Sequence, residues 1–309
     1  MKPSPEKSLA RALVWLRRDL RADDNAALYH ALCAAKQGWV GFIFDREILD
    51  ALPRADRRVE FIRESLVGLD VQLRAMAARA GVDNVALLVR HGRAADELPR
   101  LALSLGVQAV YCNHDDEPYA LARDTAMRGV LAANGIALHT SKDHVIFERS
   151  EVLTQSGGVY GVFTPYKTAW LKKLDAFYVQ AYAAERHAAA LAPPPAGVAS
   201  GVPTLVSLGF ETTNLASLKM PAGPAGAQSM FADYLHRIDD YEHTRNFPAV
   251  KGPSYLSTHL RFGTVSIRQL AREAWQRMHA LPSNDRRGAE VWLSELIWRD
   301  FYHQVLHHH

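Results

Sequence analysis

The stretch Val291-Trp-Leu-Ser-Glu-Leu-Ile-Trp-Arg-Asp-Phe-Tyr302 contains neither glycine nor proline, and its apolar residues recur at steps of three and four. This spacing predicts an α-helix that is buried over most of its circumference. At 3.6 residues per turn, one arc of the helix carries Trp292, Glu295, Trp298, Arg299 and Tyr302. We expect Glu295 and Arg299 to form an i,i+4 ion pair. The arc is either part of a core or a wall against which flat aromatic ligands stack.

A second stretch with polar character precedes this helix. Gly252-Pro253 interrupts the chain, and hydroxyl side chains then follow at the start of a short predicted helix, 255–260: Ser254, Ser257 and Thr258. Hydroxyls and free backbone N–H groups at such a position suit an anion such as a phosphate or pyrophosphate. The same pattern is also typical of ordinary helix capping, so the stretch alone does not separate the two interpretations.

Together, these stretches resemble the FAD-binding domain of the DNA photolyase/cryptochrome family, and most of all that of its bacterial class I repair enzymes. The matching motifs occur in the family's order: Tyr241-x-x-x-Arg-x-Phe-Pro248, Lys251-Gly-Pro-Ser-x-Leu-Ser257, Leu260-x-Phe-Gly-x-Val-Ser266 and Trp292-Leu-Ser-Glu-Leu-Ile-Trp-Arg-Asp-Phe-Tyr302. Pro253 stands where many members have threonine, which removes a hydroxyl and an N–H donor near the phosphates. The resemblance covers nearly the whole chain apart from a linker.

The resemblance implies light-driven repair of cyclobutane pyrimidine dimers in DNA by a lyase that uses reduced FAD. Members of this family extrude the damaged bases from the duplex. The residues at matching cofactor-binding positions are Tyr241, Ser254, Tyr255, Leu256, Ser257, Trp292 and Arg299. At the catalytic positions, Trp298 is expected to stack on the dimer and Glu295 to hydrogen-bond it. The residues expected to contact DNA are Arg245, Glu295, Trp298, Arg299 and Tyr302.

Two other functional interpretations remain open at this stage. A cryptochrome would use the same flavin as a blue-light photoreceptor without repairing DNA. The Glu295 and Trp298 pattern favours the repair enzymes, because cryptochromes tend to vary these positions. The other alternative is an α/β nucleotide-binding protein that is unrelated to light.

The N-terminal half predicts an α/β fold. Short apolar runs, each expected to be a buried strand, occur at 12–16, 39–44, 85–89, 108–112 and 136–139. Helical patterns separate them, which predicts a five-stranded parallel sheet of Rossmann-like type flanked by helices. No G-x-G-x-x-G or Walker sequence follows any of these runs, so the common dinucleotide and P-loop fingerprints are absent.

Val14-Trp-Leu-Arg-Arg-Asp-Leu-Arg21 resembles the opening of the antenna-chromophore domain of the same family. In that family the domain can hold a reduced folate, methenyltetrahydrofolate, or a deazaflavin. Asp116 and Glu117 match positions that face the pterin in folate-binding members. The folate binders carry asparagine where this chain has Asp116, so the resemblance leaves the identity of the antenna open.

The composition suggests how the chain is divided. We predict an α/β antenna domain at 9–140, a helical extension at 141–187, a Pro/Gly-rich linker at 188–226 and the start of an all-α FAD-binding domain at 227–309. Within the extension, we expect a helix over 163–182. The family's FAD-binding domain is longer than the part present here, so we expect it to be incomplete and the 309-residue chain to be inactive alone.

Charge and cysteine usage narrow the remaining possibilities. Thirty-six Lys and Arg residues against 33 Asp and Glu give a net charge of +3, which is compatible with a DNA partner but does not require one. The two cysteines and the histidines show no zinc-site spacing, so we expect no metal. No apolar run reaches the roughly 20 residues of a transmembrane helix. We therefore expect a cytoplasmic monomer with no membrane association.

Overall fold

The computed structural model describes residues 7–280 and 286–309. Its strands are β1 Leu9–Leu16, β2 Ala35–Asp45, β3 Leu88–Gly92, β4 Ala109–Asn113 and β5 Ala137–Ser141. Its longer helices are α1 Ala26–Ala34, α3 Arg57–Arg79, α4 Ala94–Leu105, α5 Pro118–Ala133, α6 Phe163–Lys173, α7 Gly223–Leu235, α10 Ile267–Ala280 and α11 Arg287–His308. Three short helices are α2 Arg46–Leu49, α8 Tyr241–Thr244 and α9 Ser257–Phe262.

The five strands form one parallel sheet in the order β3-β2-β1-β4-β5. Buried clusters cover both of its faces. The predicted α/β class is therefore confirmed. The strand order reverses between β1 and β4, and ligands of open α/β sheets usually bind beside the carboxyl ends of the strands at such a point.

The strand β3 begins three residues later than predicted. Val85, Ala86 and Leu87 are buried but precede the ladder, which starts at Leu88 opposite Gly41. The N–H of Leu87 donates to the Asp70 carboxylate at 2.7 Å, and its carbonyl accepts from Gly201. The backbone of this apolar run is thus satisfied outside the sheet, which apolar content alone does not indicate.

The helix predicted over 163–182 is wrong beyond Lys173. After α6 the chain becomes extended at Leu174, and the Asp175 carboxylate accepts a hydrogen bond from the N–H of Phe177 at 2.8 Å. A side chain that bonds to the backbone two residues ahead stabilises a turn in competition with a helix. Residues 174–183 are consequently irregular, and a short 3-10 helix, Ala184–Ala190, follows them.

Residues within the predicted linker contribute to the core. Leu191, Leu208 and Phe210 are buried in the cluster that covers one face of the sheet, and 3-10 helices occur at Val206–Leu208 and Leu215–Leu218. By contrast, Ile146 to Val179 supply side chains to the cluster around α11. The proposed domain limits at 140, 187 and 226 stay predictions.

The C-terminal part is helical, as expected. Within 227–280 and 286–309 the structure contains no strand, and α7 to α11 with the short 3-10 helix Ile238–Asp240 share one hydrophobic cluster. Trp292, Leu293, Leu296, Ile297 and Phe301 bury most of the circumference of α11. No helix in the described ranges is both long enough and apolar enough to cross a bilayer.

The helical part joins the sheet through a buried ionic cluster and a close backbone contact. Arg268 of α10 pairs with Asp24 at 2.8 Å and with Asp143 at 2.7 Å, and Asp143 also pairs with Arg21 at 2.7 Å. Gly263 has a φ of +63°, and a Cβ atom there would lie 2.1 Å from the carbonyl oxygen of Arg18. Only glycine allows the two parts to approach so closely.

Candidate functional site

A cleft of about 520 Å³ lies between α11, α9 and the segment before α9. All seven predicted cofactor positions line it: Tyr241, Ser254, Tyr255, Leu256, Ser257, Trp292 and Arg299. Glu295 lines the same cleft. Residues scattered over about sixty positions of sequence therefore converge on one cavity, as the motif resemblance implied.

No side chain caps the N-terminus of α9, so the hydroxyls at this position are not used for capping. The helix α9 begins at Ser257, later than predicted, and Tyr255 has a φ of +57°. The Ser254 hydroxyl accepts a long hydrogen bond of 3.4 Å from the N–H of Leu256. The Ser257 side chain is exposed on the cleft, and in the described part of the chain its hydroxyl has no hydrogen-bond partner. Both hydroxyls can therefore reach a ligand.

The predicted pair between Glu295 and Arg299 is wrong. Glu295 instead pairs with Arg245, whose Nη1 lies 2.7 Å from the carboxylate. Burial opposes the charge on Arg245, but the Glu295 carboxylate outweighs it and raises the pKa of the guanidinium. The i,i+4 spacing favours a pair only where no better-placed cation competes, and Arg245, at the end of α8, is better placed.

Arg299 is a half-buried cation that faces the cleft. Its guanidinium donates to the carbonyl of His144 and, at 3.5 Å, to that of Leu260, and it pairs with no carboxylate in the described ranges. Burial lowers the pKa of Arg299 to about 10, although the neighbouring Asp300 carboxylate opposes this change. The side chain therefore keeps its charge at neutral pH. A half-buried cation without a counter-ion favours an anionic ligand.

Two further arginines, which the motifs did not single out, line the same cleft. Arg18 pairs with Asp115 at 3.1 Å and with Glu117 at 2.8 Å, and Arg261 pairs with Glu117 at 2.5 Å. Arg18 lies beyond the end of β1 and Arg261 on α9, so the cleft is bounded by both parts of the chain. Their proximity depends on the docking of the two parts, which local sequence does not reveal.

Trp298 and Tyr302 lie to one side of the cleft and are not among its lining residues. The Trp298 indole stacks on Phe163, with ring centroids 3.6 Å apart and an interplanar angle of 8°. Tyr302 lies nearly parallel to the same indole at 5.4 Å, and 60% of it is exposed. The arc of α11 is thus divided between the cleft and an aromatic stack. Phe163, the first residue of α6, was not among the predicted site residues.

A smaller cavity of about 280 Å³ lies at the carboxyl ends of the strands. Its walls are largely aromatic and aliphatic, including Trp15, Phe42 and Phe44, and the Arg123 guanidinium lies 4.8 Å from the centre of the Trp15 ring. Glu117 lines this strand-end cavity, whereas Asp116 does not. Arg18 and Arg261 line both this cavity and the cleft.

Both predicted antenna carboxylates are engaged in ion pairs. Asp116 lies 3.3 Å from Arg149, 3.4 Å from His303 and 3.7 Å from His307. Burial acts to raise the pKa of Asp116, but His303 and Arg149 outweigh it and lower the pKa. Burial also acts to raise the pKa of Glu117, but Arg261 and Arg18 outweigh it and lower the pKa. These carboxylates link the sheet to α9 and α11.

Comparisons with known proteins agree with this geometry. The family model described as DNA photolyase matches residues 12–193. A deoxyribodipyrimidine photo-lyase of a Synechococcus species is 33% identical over 307 residues, which cover 97% of this chain and 61% of that protein. Cryptochrome-2 of Gallus gallus is 26% identical over 320 residues, covering 97% of this chain and 52% of the relative.

A comparison with solved structures also finds a photolyase. The bacterial class III photolyase of Agrobacterium tumefaciens superimposes with a TM-score of 0.79 at 25% identity, covering 100% of this chain and 61% of that one. The chain thus spans about 61% of the length of the Synechococcus photo-lyase and of the Agrobacterium tumefaciens photolyase. Its fold, the cleft and these matches together establish that the chain belongs to the DNA photolyase family.

Proposed function

We propose that this chain takes part in light-driven repair of cyclobutane pyrimidine dimers in DNA, with reduced FAD bound in the cleft. The observation that carries the proposal is the convergence of the seven predicted cofactor residues on one cavity. The photo-lyase name of the Synechococcus relative supports it. In the whole protein we expect activity as a deoxyribodipyrimidine photo-lyase and a cytoplasmic monomer that binds damaged DNA.

The residues of the cleft fit the proposed cofactor. Ser254 and Ser257 present hydroxyls that can donate to phosphate oxygens, and Arg299 supplies a half-buried positive charge without a carboxylate partner. Trp292 provides an apolar wall and is itself packed against Tyr234, with ring centroids 4.8 Å apart. Bound reduced flavin would supply, after excitation, the electron that opens the cyclobutane ring. The residues of this chain would bind and orient the cofactor and neutralise the charge of its phosphates.

Damaged DNA would meet the other side of α11. Trp298 and Tyr302 form an aromatic surface beside the cleft, and base stacking on such rings contributes roughly 1–3 kcal/mol. Glu295 lies on the same helix between this surface and the cofactor residues, where it can accept hydrogen bonds from the lesion. Arg245, held by Glu295 at 2.7 Å and half-exposed, can turn to a phosphate. Arg299 would contact the DNA from within the cleft.

The strand-end cavity is a better candidate site for an antenna chromophore than the ion-paired carboxylates Asp116 and Glu117. Its aromatic walls suit a flat ring system such as a deazaflavin. A reduced folate at Asp116 and Glu117 would have to displace the ion pairs that these carboxylates make with Arg149, Arg18 and Arg261. We therefore favour the deazaflavin class over methenyltetrahydrofolate.

A cryptochrome-type photoreceptor is the second candidate, because Cryptochrome-2 of Gallus gallus matches almost the whole chain. A titration with FAD tests the flavin binding that both the repair enzyme and the photoreceptor require. The 309-residue chain should quench added FAD weakly but saturably, and replacing Ser254 and Ser257 by alanine should weaken the binding. Replacing Ser156 and Ser200 instead is the matched control. Repair of dimer-containing DNA by the whole protein under blue light then distinguishes the enzyme from the photoreceptor, and absence of saturable FAD binding would remove both.

A further inference from the structure

A third cavity, of about 390 Å³, lies apart from the cleft and from the strand-end cavity. Its walls come from α1, from the segment after β5, from the irregular residues 177–183 and from α10. The volume falls within the range of roughly 300–1,000 Å³ that is usual for small-molecule sites. No motif or resemblance assigned it a role, so its chemistry has to be derived from its walls.

The walls are rich in tyrosine. Tyr29, Tyr178 and Tyr182 line the cavity, and the rings of Tyr29 and Tyr182 lie 5.4 Å apart. The Arg268 guanidinium supports Tyr182 from behind at 4.8 Å and is itself neutralised by buried carboxylates. Phe177 at the rim is 75% exposed. Half-buried rings that are held by their neighbours suit a flat aromatic ligand.

The cavity also carries a cation that no other group in the described ranges uses. Arg186 is exposed on its wall, and in 7–280 and 286–309 its guanidinium has neither a hydrogen-bond acceptor nor a carboxylate partner. Lys142, in contrast, is held by Glu151 at 2.5 Å. Burial lowers the pKa of His187, so its neutral ring can both donate and accept hydrogen bonds. An unpaired guanidinium is well suited to bind a phosphate.

We propose that this cavity binds a nucleotide, with the base among the tyrosine rings and the phosphate at Arg186. A purely apolar ligand would leave the guanidinium unused, and a simple anion would leave the rings exposed. A nucleotide uses both, while Gln180 and His187 can hydrogen-bond the edge of the base. The ligand is either a free nucleotide or one unit of a DNA strand, since both present the same chemistry.

The test is a titration of the 309-residue chain with adenosine and thymidine monophosphates, followed by tyrosine fluorescence. Arg186→Ala and Tyr178→Leu should each weaken binding about tenfold or more, because a hydrogen bond to a charged group and a base stack each contribute that much. Arg100→Ala, an exposed arginine on α4, is the matched control and should change nothing. Thermal unfolding of each variant checks that it folds.

Two further arms identify the site and the source. Excess FAD, which would fill the cleft, should leave monophosphate binding unchanged, since the two cavities share no lining residue. A short single-stranded oligonucleotide that binds more tightly than the monophosphates, with the same loss in Arg186→Ala, would identify a strand as the source, and equal affinity would identify a free nucleotide. The proposal is overturned if no nucleotide saturates at millimolar concentration, or if excess FAD abolishes the binding while Arg186→Ala leaves it intact.

Discussion

The cleft and the strand-end cavity share a wall but differ in how their polar side chains are used. In the cleft, the Ser257 hydroxyl has no hydrogen-bond partner in the described ranges, and Arg299 donates to backbone carbonyls there but pairs with no carboxylate. Beside the strand-end cavity, Glu117 is already paired with Arg18 and Arg261. Predicted site residues are therefore of two kinds. Ser257 and Arg299 keep hydrogen-bonding capacity for a ligand, whereas the pairs of Glu117 hold α9 to the sheet.

The largest effect should follow from Arg299→Met. Methionine keeps the aliphatic packing but removes the cation, and hydrogen bonds to charged groups contribute roughly 1.5–3 kcal/mol, or about tenfold to more than a hundredfold in affinity. FAD titration of the chain, with Arg100→Ala as control, measures the change. Unaltered FAD affinity would mean that the cleft does not use its half-buried charge for a ligand.

Trp298→Ala tests whether the aromatic stack belongs to the lesion site. In the whole protein it should weaken binding to dimer-containing DNA roughly tenfold to a hundredfold, because one base stack is lost. Binding to undamaged DNA depends on phosphate contacts and should barely change. Titrations at two salt concentrations measure both affinities, and Arg245→Ala should instead weaken both and reduce the salt dependence.

Phe163→Leu is the matched control for Trp298→Ala, because it removes the stacking partner of the indole but keeps the indole. If Trp298→Ala leaves damaged-DNA affinity intact, or if it empties the flavin site, the indole has a packing role. If Phe163→Leu alone reproduces the loss, the position of the indole matters as well as its presence.

Ser254→Ala with Ser257→Ala should lower FAD affinity by about tenfold, since each neutral hydrogen bond contributes roughly 0.5–1.5 kcal/mol. The substitutions remove only hydroxyls, so the unfolding temperature should stay the same. Equilibrium dialysis with FAD measures the affinity. Loss of both folding and binding would show that the serines support the segment rather than the ligand.

Glu117→Gln should have the smallest effect and should act on stability. The pKa values of Asp116 and Glu117 are lowered from 3.8 and 4.5, so their pairs stabilise the fold above about pH 4.5, and this contribution is lost as the pH falls further. Because Glu117 is partly exposed, its share is at most about 1 kcal/mol. Urea unfolding at pH 7 and pH 3.5 should show a smaller difference in the variant than in the unaltered chain.

The sequence predicted the elements and the cleft better than the partners of individual side chains. The five strands and the helices between them occur in the predicted order, because the hydrophobic pattern of each element is local. The cofactor residues converge as expected, because the motifs preserve a family geometry. The partner of Glu295 was missed, because Arg245 reaches it across fifty positions of sequence, a contact that only the packing of α8 on α11 creates.

The failures share a physical cause. The end of α6 depends on one Asp side chain that competes for a backbone N–H, and the start of β3 depends on Asp70 and Gly201, which are remote in sequence from it. The contact between Trp298 and Phe163, a residue far upstream, likewise depends on tertiary packing. Hydrophobic periodicity and helix or strand propensity depend on residues that are near in sequence. These element ends and side-chain contacts depend on the tertiary structure instead.

The buried cluster that joins Arg268 to Asp24 and Asp143 has a consequence for how the chain folds. Arg268 and Asp24 are 244 positions apart, so this contact closes one of the longest loops in the molecule. Contacts of such high sequence separation form late, because the entropy of loop closure is lost before the contact stabilises anything. During synthesis the sheet emerges first, with Asp24 and Asp143 still lacking the guanidinium of Arg268. We therefore expect Asp24 and Asp143 to gain the charge of Arg268 only when α10 docks, late in folding.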